Sequence, residues 1–260
     1  QLLRLELHTP VVEGANMDPL YVTPEMDQEG VARLFRKHRL HSLPVVDDTG
    51  RILGQITSDD ILGVMEEEAT EDLYRLANVG EASDLTEPVL HSVRPRATWL
   101  SANAVAGILS ATVVSLFENS IAQVTALAVL MPIVANIGGM GGVQTATIMV
   151  RAISLGHTEL ETTGRIIMRQ SLIGLLVGLV FCLAGGLIAT ALLGKPYLGL
   201  VFGASLAAVL FFSGALGSLI PIGLKRVGID PALVSGSLLT TITDSLAFLV
   251  FLGLGTIVLL

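Results

Sequence analysis

An acidic residue, Asp244, lies inside a long apolar stretch, 231–259. A carboxylate at the centre of a bilayer costs about 2.5–3.5 kcal/mol on insertion scales, so carboxylates retained there usually serve a function. Ser237, Thr240 and Thr241 precede Asp244 at spacings that place all four side chains on one face of a helix. We interpret this face as the wall of a cation pore. The alternative is a structural Asp244 that is protonated or bonded to nearby hydroxyl groups.

A second apolar stretch, 121–150, contains a cluster of glycines. Four of them fall within five residues: Gly138, Gly139, Gly141 and Gly142. Each glycine destabilises a helix by up to about 1 kcal/mol, so the sequence predicts a break in the helix here, close to Asn136 and Gln144. Broken backbone inside a membrane is buried or lines a wet cavity, where its free carbonyl groups can bind a cation. The alternative is that the glycines permit close helix packing.

These oxygen groups define the kind of ion that the chain would bind. A carboxylate with hydroxyl and carbonyl groups suits Mg²⁺ or Ca²⁺, whereas Zn²⁺ and Cu²⁺ prefer His and Cys. None of the five histidines lies in an apolar stretch. One aspartate per chain is a weak site for a hydrated Mg²⁺, so we expect two or more chains around an axis to concentrate the charge.

Five apolar stretches must position these residues, and each reaches the length of about 20 helical residues that crosses a bilayer. They cover 100–117, 121–150, 166–193, 197–224 and 231–259. Asp230 and Pro231 have the residue types of an N-cap and a first helical residue, which predicts that the last helix starts there with Asp244 near the midplane. Two glycine pairs, 174 with 178 and 199 with 203, predict close helix packing.

The connections between the stretches predict an orientation. If the N-terminal part is cytosolic, Arg151, Arg165, Lys225 and Arg226 all lie on the cytosolic side, and only Lys195 lies on the other. We therefore expect a multi-pass protein of the cell (inner) membrane. The C-terminus would be extracellular or periplasmic.

The composition separates an acidic part from an apolar part. The hydrophobic fraction is 52% and the mean hydropathy is +0.72, which is unusual for a soluble protein. Residues 1–99 hold 18 acidic and 9 basic residues, whereas residues 100–260 hold 5 and 6. An acidic head argues against a nucleic-acid partner and suits cations. The single cysteine, Cys182, allows no disulfide within one chain.

The N-terminal part predicts a small α/β domain. Its pattern indicates a helix over 27–40, strands over 43–46 and 52–56, and a turn over 47–50. The string HSLPVVDDTGRILGQITSDDIL resembles a CBS motif, and the resemblance covers about 18–65. It implies that Asp60, with Thr57 of the same Thr-x-x-Asp motif, contacts a nucleotide such as ATP. The alternative is that Asp60 only stabilises the first turn of a helix through the helix dipole.

A predicted acidic helix over 66–79 follows the α/β domain. Glu68, Glu71, Asp72 and Arg75 share one of its faces. This face is either solvated, with a Glu71–Arg75 pair worth about 0.3–0.5 kcal/mol, or it is a set of mutually repelling carboxylates that hold a cation.

The order of CBS motif, acidic helix and five apolar stretches resembles the MgtE family of magnesium channels and transporters. The two segments that carry the resemblance are LMPIVANIGGMGGVQTATIMVRAISLG and DPALVSGSLLTTITDSLAFLVF. The resemblance implies a homodimer whose pore is lined by the second and fifth spans. It implies that Asp244 recognises hydrated Mg²⁺, beside the backbone of Ala135, Asn136, Gly138, Gly139 and Gly142.

The same resemblance implies regulation by cytosolic Mg²⁺. The acidic helix corresponds to the family's plug helix, and the acidic positions that would hold Mg²⁺ and close the pore are Asp27, Glu29, Asp60, Glu68, Glu71 and Asp72. The chain departs from the family pattern at Met140, Gly236, Arg39 and Gly63. These departures affect parts of the sensor and the pore rim.

The sequence therefore predicts an α-helical membrane protein of five transmembrane helices with an N-terminal cytosolic α/β CBS fragment. We assign residues 1–65 to the CBS part, 66–98 to the acidic connecting helix and linker, and 99–260 to the pore. The predicted function is a Mg²⁺ channel or transporter rather than an enzyme, since a His-Glu-x-x-His protease motif is absent. A coupled exchanger and a nucleotide-regulated cation transporter are the alternatives. Gln1 and the residues after it lack signal-peptide features, so we expect the C-terminal portion of a longer protein.

Overall fold

The computed structural model describes residues 19–76, 88–155, 163–233 and 236–260. The side chains of Asp72, Arg75, Leu76, Leu233 and Ser237 lie outside that description. The chain forms two compact units that divide between Thr70 and Glu71.

The first unit is the predicted small α/β fold. It contains helix α1 (Gln28–His38), strands β1 (Ser42–Val46) and β2 (Ile52–Thr57), and the start of helix α2 (Ser58–Leu76). The two strands are antiparallel, and Val22 joins β1 from the other side through a parallel bridge to Val45. The core consists of five buried apolar residues: Val22, Val31, Phe35, Leu43 and Ile61. Val31 and Phe35 lie four residues apart and so share the inner face of α1.

An aspartate organises the turn between β1 and β2. Asp47 Oδ1 accepts hydrogen bonds from the Thr49 hydroxyl at 2.6 Å and from the N–H groups of Thr49 and Arg51, each at 2.9 Å. These bonds, the Thr49 hydroxyl first, hold the pKa of the Asp47 carboxyl below its usual value. Gly50 closes the turn with a φ of 78°, which glycine adopts without strain.

The start of α2 is capped by Asp60. Its Oδ2 atom accepts hydrogen bonds from the Thr57 N–H at 2.8 Å and the Thr57 hydroxyl at 2.7 Å. A carboxylate that reaches back to the N–H three residues earlier is half of a capping box. The two bonds, the hydroxyl first, lower the pKa of Asp60. Asp60 therefore has the helix-start role that was one of its two sequence-based interpretations.

The second unit is a helical bundle. Its helices are α3 (Val89–Ser115), the short α4 (Glu118–Gln123), α5 (Ala126–Ser154), α6 (Thr163–Leu193), α7 (Pro196–Arg226) and α8 (Ser237–Leu259). Of the described helices, five are long and apolar enough to cross a membrane, namely all of these except α4. The prediction of five spans and an N-terminal α/β segment is confirmed.

Helix α7 is the most enclosed of the five and α3 the least. Buried residues make up 67% of the 18-residue apolar segment of α7 that could cross a membrane, but none of the corresponding segment of α3. The main core of the unit lies mostly between α5, α7 and α8. It includes the almost fully buried side chains of Leu127, Phe202 and Phe251. Phe202 and Phe251 meet edge to face with ring centroids 6.2 Å apart.

Glycines bring α6 and α7 into backbone contact, as the two glycine pairs predicted. A methyl carbon built at Gly178 of α6 would lie 2.7 Å from the Ala207 Cα of α7. A methyl carbon built at Gly203 of α7 would lie 2.5 Å from the carbonyl oxygen of Cys182. No other residue fits where the two backbones are this close, so the small residues set the separation of the pair.

Four elements differ most from the sequence predictions. Helix α3 starts at Val89, inside the predicted linker, rather than at residue 100. Helix α5 is continuous through Pro132 and the glycine cluster, so the predicted break is wrong. Pro231 opens a separate 3₁₀ turn, Pro231–Leu233, in which the Ala232 N–H donates to Asp230 Oδ1 at 2.9 Å, and α8 starts at Ser237. Helix α2 runs through residue 65 without interruption, so the acidic helix is not a separate element.

Replacing Asp60 with Ala should loosen the first unit at neutral pH. Because its folded-state pKa is lowered, the Asp60 carboxylate stabilises the fold above its usual pKa, and this contribution disappears as the pH falls through the folded-state value. We expect faster amide exchange in β1 and β2 of the full chain at pH 7 in Asp60→Ala, with the difference vanishing at low pH. Asp59→Ala, which removes a neighbouring carboxylate, should leave exchange unchanged; an equal effect of both changes would contradict the capping role.

Replacing Gly203 with Ala should destabilise the bundle. The added methyl group meets backbone that cannot rotate away, and overpacking of this kind costs about 1–3 kcal/mol. Gly223→Ala on the same helix is the matched control, because a methyl group there would have no neighbour within 4 Å. It should be neutral or stabilising by up to about 1 kcal/mol. Thermal unfolding of the full chain in detergent measures both; a similar midpoint for the two variants would argue against backbone contact at Gly203.

Candidate cation site in the membrane segment

Asp244 lies on α8, seven residues after its start at Ser237 and fifteen before its end at Leu259. The position is about one helical turn, roughly 6 Å, before the middle of the helix. The expectation of a midplane aspartate, which assumed a helix start at Pro231, is therefore shifted toward the Ser237 end. The Asp244 side chain is partly buried.

The carboxylate of Asp244 packs against the backbone of α5 at Gly139. A methyl carbon built at Gly139 would lie 3.1 Å from Asp244 Oδ1 and 3.5 Å from Thr240 Cγ2. Any side chain at residue 139 would therefore press on the carboxylate and on the threonine one turn before it. Glycine leaves Asp244 room beside α5.

The four clustered glycines divide between two neighbouring helices. Gly138 and Gly141 face α7, where a methyl carbon at Gly138 would collide with Val209 and one at Gly141 would lie 2.6 Å from Leu210 Cδ2. Gly142, like Gly139, faces α8, with Thr243 Cγ2 at 3.0 Å from its methyl position. Their shared role is close packing, which was the alternative to a broken helix. The carbonyl groups of this segment stay within a continuous α-helix rather than being freed by a break.

The remaining face of α5 is not covered by the residues that the structure describes. Asn136, Met140 and Gln144 follow each other at intervals of four residues, and all three are exposed. Ala135, the residue before Asn136, is buried. Gly139 follows Asn136 by three residues and therefore lies beside this exposed face. Because Asp244 packs against Gly139, its carboxylate lies at the edge of the same face. Asn136, Met140 and Gln144 give this part of the exposed face two amide side chains and one thioether.

The hydroxyl groups near Asp244 are tied to the helix backbone. Thr240 Oγ1 donates to the Gly236 carbonyl at 2.8 Å, and Thr243 Oγ1 donates to the Leu239 carbonyl at 2.9 Å. A hydroxyl that donates in this way keeps lone pairs with which it can still accept a bond or contact a cation. Thr240 is partly buried, whereas Thr241 is buried with 7% of its surface exposed. The side chain of Ser237 lies outside the described part.

The predicted polar stripe therefore divides into two. Thr240 and Asp244 lie toward α5, whereas Thr241 belongs to a contact between α8 and α3. In that contact, the hydroxyl groups of Ser110 and Ser245 are 2.8 Å apart, and Ser245 donates to the Thr241 carbonyl at 2.8 Å. The sequence reasoning missed Thr243, Ser245 and Ser110. Thr243 and Ser245 flank Asp244 directly in the sequence, so a wider helical arc would have included them.

The acidic residues predicted to sense Mg²⁺ are spread over several local contacts. Glu29 pairs with Arg33 at 2.9 Å, and Glu68 accepts a hydrogen bond from Gln28 Nε2 at 2.7 Å. Asp27 directly precedes α1, Asp60 caps α2, and Glu71 lies on the part of α2 that belongs to the second unit. The side chain of Asp72, like that of Arg75 in the predicted Glu71–Arg75 pair, is not described.

Among the described residues, no group of three or more His, Cys, Asp or Glu side chains could hold a metal ion. A single carboxylate with hydroxyl neighbours cannot replace the water shell of a divalent cation. It can contact one that keeps its water, which is how Mg²⁺ is commonly bound. The arrangement around Asp244 therefore suits a hydrated hard cation in transit better than a permanently bound metal.

Two family models match the chain in the segments that the motifs indicated. Residues 131–254, which include the glycine cluster and Asp244, match the model described as MgtE, divalent cation transporter. Residues 9–67 match the CBS domain. The match to the membrane segment begins within α5 and ends within α8.

Three curated relatives extend the comparison to most of the chain. The chain is 35% identical, over 99% of its length, to "Magnesium transporter MgtE" of Thermus thermophilus, 32% identical over 88% to the protein of that name from Bacillus subtilis, and 29% identical over 88% to that of Enterococcus faecalis. It spans 58%, 51% and 51% of these proteins, respectively, and so a little over half of their length. The resemblance predicted from the motifs is confirmed: a membrane segment that matches the MgtE family follows a segment that matches the CBS domain.

Proposed function

We propose that the protein carries Mg²⁺ across the membrane and that Asp244 is its contact with the moving ion. The observation that supports this most directly is a partly buried carboxylate on a candidate membrane-spanning helix, inside the segment that matches the divalent cation transporters. A charge in that position is disfavoured by hydrocarbon unless it faces water, an ion or a polar partner. A passing cation supplies such a partner.

The uncovered face of α5 supports an aqueous path beside Asp244. Exposed amides at Asn136 and Gln144 are disfavoured against lipid, because hydrocarbon offers them no hydrogen bonds. Water or a second protein surface would satisfy them. We propose that a second copy of the chain covers this face across a two-fold axis, so that a homodimer encloses a wet pore between the two copies of α5 and α8.

A homodimer would also strengthen the ion contact. Two Asp244 carboxylates across the axis provide twice the charge of one, and neither needs to enter the inner hydration shell of the ion. The partial burial of Asp244 and its neighbours Gly139 and Thr240 keep the carboxylate in place at the edge of α5. Ion selectivity would then depend on the size and charge of a hydrated ion rather than on direct coordination.

We propose that the acidic head regulates this pore. The first unit carries the exposed Asp27 and the half-buried Glu29 close to one another in sequence, and α2 carries Glu66, Glu67 and Glu68. Mg²⁺ bound between such carboxylates on two copies would offset their repulsion. The ion closes the pore only if it binds the closed arrangement more tightly than the open one. ATP at Asp60 and Thr57 is a further proposal for the same head.

The basic residues support import into the cytosol. Arg151, Lys225 and Arg226 lie at the ends of α5 and α7 that share one side of the bundle, and Lys195 lies at the other side. With the basic side in the cytosol, the first unit is cytosolic and Leu260 is extracellular or periplasmic. The negative cytosolic potential then draws the cation inward.

Replacing Asp244 with Asn should slow Mg²⁺ entry. A charge-assisted contact is worth about 1.5–3 kcal/mol, so its loss should reduce flux by about 10–100-fold. The measurement is Mg²⁺ uptake into liposomes by the chain, or by the full-length protein that contains it, with a Mg²⁺-sensitive dye inside. Glu118→Gln is the matched control, because it removes an exposed carboxylate at the start of α4. Equal uptake by the two variants would exclude Asp244 from the ion path.

The same liposomes distinguish a channel from a coupled exchanger. Uptake driven by a Mg²⁺ gradient and a membrane potential alone, with no gradient of H⁺ or Na⁺, supports a channel. Uptake that requires such a gradient and still depends on Asp244 would support the exchanger while retaining Asp244 as the ion contact.

Replacing Gly139 with Ala should also reduce uptake without unfolding the bundle. The methyl group would lie 3.1 Å from Asp244 Oδ1, so the carboxylate must move by a few tenths of an ångström. Gly253→Ala on α8 is the control, because its methyl group would lie an ordinary 4.0 Å from Phe117. We expect a several-fold loss of uptake for Gly139→Ala only, with equal thermal midpoints. A loss in both variants would mean that flux reports general helix packing rather than the position of Asp244.

A further inference from the structure

An apolar groove runs along the outside of the bundle, and Asp244 does not line it. It has a volume of about 190 Å³ and is lined by residues of α5, α6 and α7. The lining includes Ile133 and Ile137 of α5, Ile188 and Leu192 of α6, and Phe202 of α7. A cavity of about 150 Å³ with such walls already holds a molecule as large as benzene, so this groove can hold a length of hydrocarbon.

The groove opens on the outer surface of these candidate membrane-spanning helices. Ile188 and Leu192 are 59% and 78% exposed, whereas Phe202, at the base of the groove, is 5% exposed. Along α6, the lining extends from Phe181 to Leu192, which is about 16 Å of helix. Half of a hydrocarbon core is about 15 Å thick, so the groove has the length of one leaflet.

A positive charge stands at one end of the groove. Helix α6 ends at Leu193, one residue after Leu192 of the lining, and Lys195 follows in the turn before α7. Lys195 is exposed, and it is the only Lys or Arg in the connections at this end of the bundle, 116–125 and 194–195. In the described part of the chain, no carboxylate forms an ion pair with it. A lysine in this position extends its ammonium group toward the membrane surface.

The dimensions, the apolar lining and the charge at its end match a single kind of molecule. A phospholipid has an acyl chain as long as one leaflet and a negatively charged phosphate at the membrane surface. We propose that the groove binds one acyl chain of an anionic phospholipid and that Lys195 binds its phosphate. Tyr197, which is 72% exposed beside Lys195, has the amphipathic ring that favours the same depth.

Native mass spectrometry of the full chain released from detergent tests the acyl-chain contact. The probes are phosphatidylglycerol and phosphatidylcholine with identical oleoyl chains. Ile188→Trp, which fills the mouth of the groove, should lose retained lipid of both kinds by at least about tenfold. Leu187→Trp is the matched control, because Leu187 is the preceding residue, is 71% exposed and does not line the groove. Equal lipid retention by these two variants would overturn the proposal.

Lys195 tests the headgroup contact independently of packing. The Lys195 side chain forms no cap hydrogen bond at the start of α7, so Lys195→Ala should leave the helix intact. It should reduce retention of phosphatidylglycerol by about tenfold and that of phosphatidylcholine by much less, because choline offsets the charge of that phosphate, while Lys195→Arg should behave like the parent. An unchanged preference for the anionic lipid in Lys195→Ala would overturn the assignment of Lys195. A change in oligomeric mass in Ile188→Trp without lipid loss would show that a second copy covers the groove, which also overturns the proposal.

Discussion

Glycines on two faces of α5 let its backbone touch two other helices at once. Gly138 and Gly141 pack against α7, while Gly139 and Gly142 pack against α8. Gly217 of α7 also lies close to the Gly142 carbonyl. In a membrane, helices gain no hydrophobic advantage from leaving lipid, so contact at short distance has to hold them together. The position of Asp244 depends on this packing, because its carboxylate lies where α8 meets Gly139. A bulkier α5 would move the charge.

The sequence predicted the helices of the bundle more reliably than it predicted their contacts. A long apolar run is a local pattern, and such runs predicted five spans that the structure also contains. The glycine cluster was ambiguous, because helix propensity is local whereas the partners that fill the space, such as Val209 and Thr243, lie far along the chain. For the same reason, Thr241 was placed with Asp244, although its backbone carbonyl accepts a hydrogen bond from Ser110 of α3, 131 residues earlier in the chain.

In the head, the sequence predicted strands, turn and helix start, but it could not show which acidic side chains were already occupied. Asp60 holds the Thr57 N–H and hydroxyl, Asp47 organises a turn, and Glu29 pairs with Arg33. A carboxylate that supports local structure in this way gives up part of its capacity for an ion. Counting acids in the sequence therefore overstates the number that are free to bind a cation, since capping and pairing depend on geometry that only the fold supplies.

The off-centre position of Asp244 has an electrical consequence. Helix α8 is twenty-two residue steps long, and Asp244 lies fifteen of these steps before its end at Leu259. Asp244 is therefore nearer the basic side of the bundle. In the proposed pore, a cation that enters from the Lys195 side would have crossed about two thirds of the helix when it reaches the carboxylate. If the field falls evenly, a divalent ion gains about 3 kcal/mol per 100 mV over that distance. Occupancy of the site would then be set by voltage as well as by concentration, and an energised membrane would fill it from dilute solution.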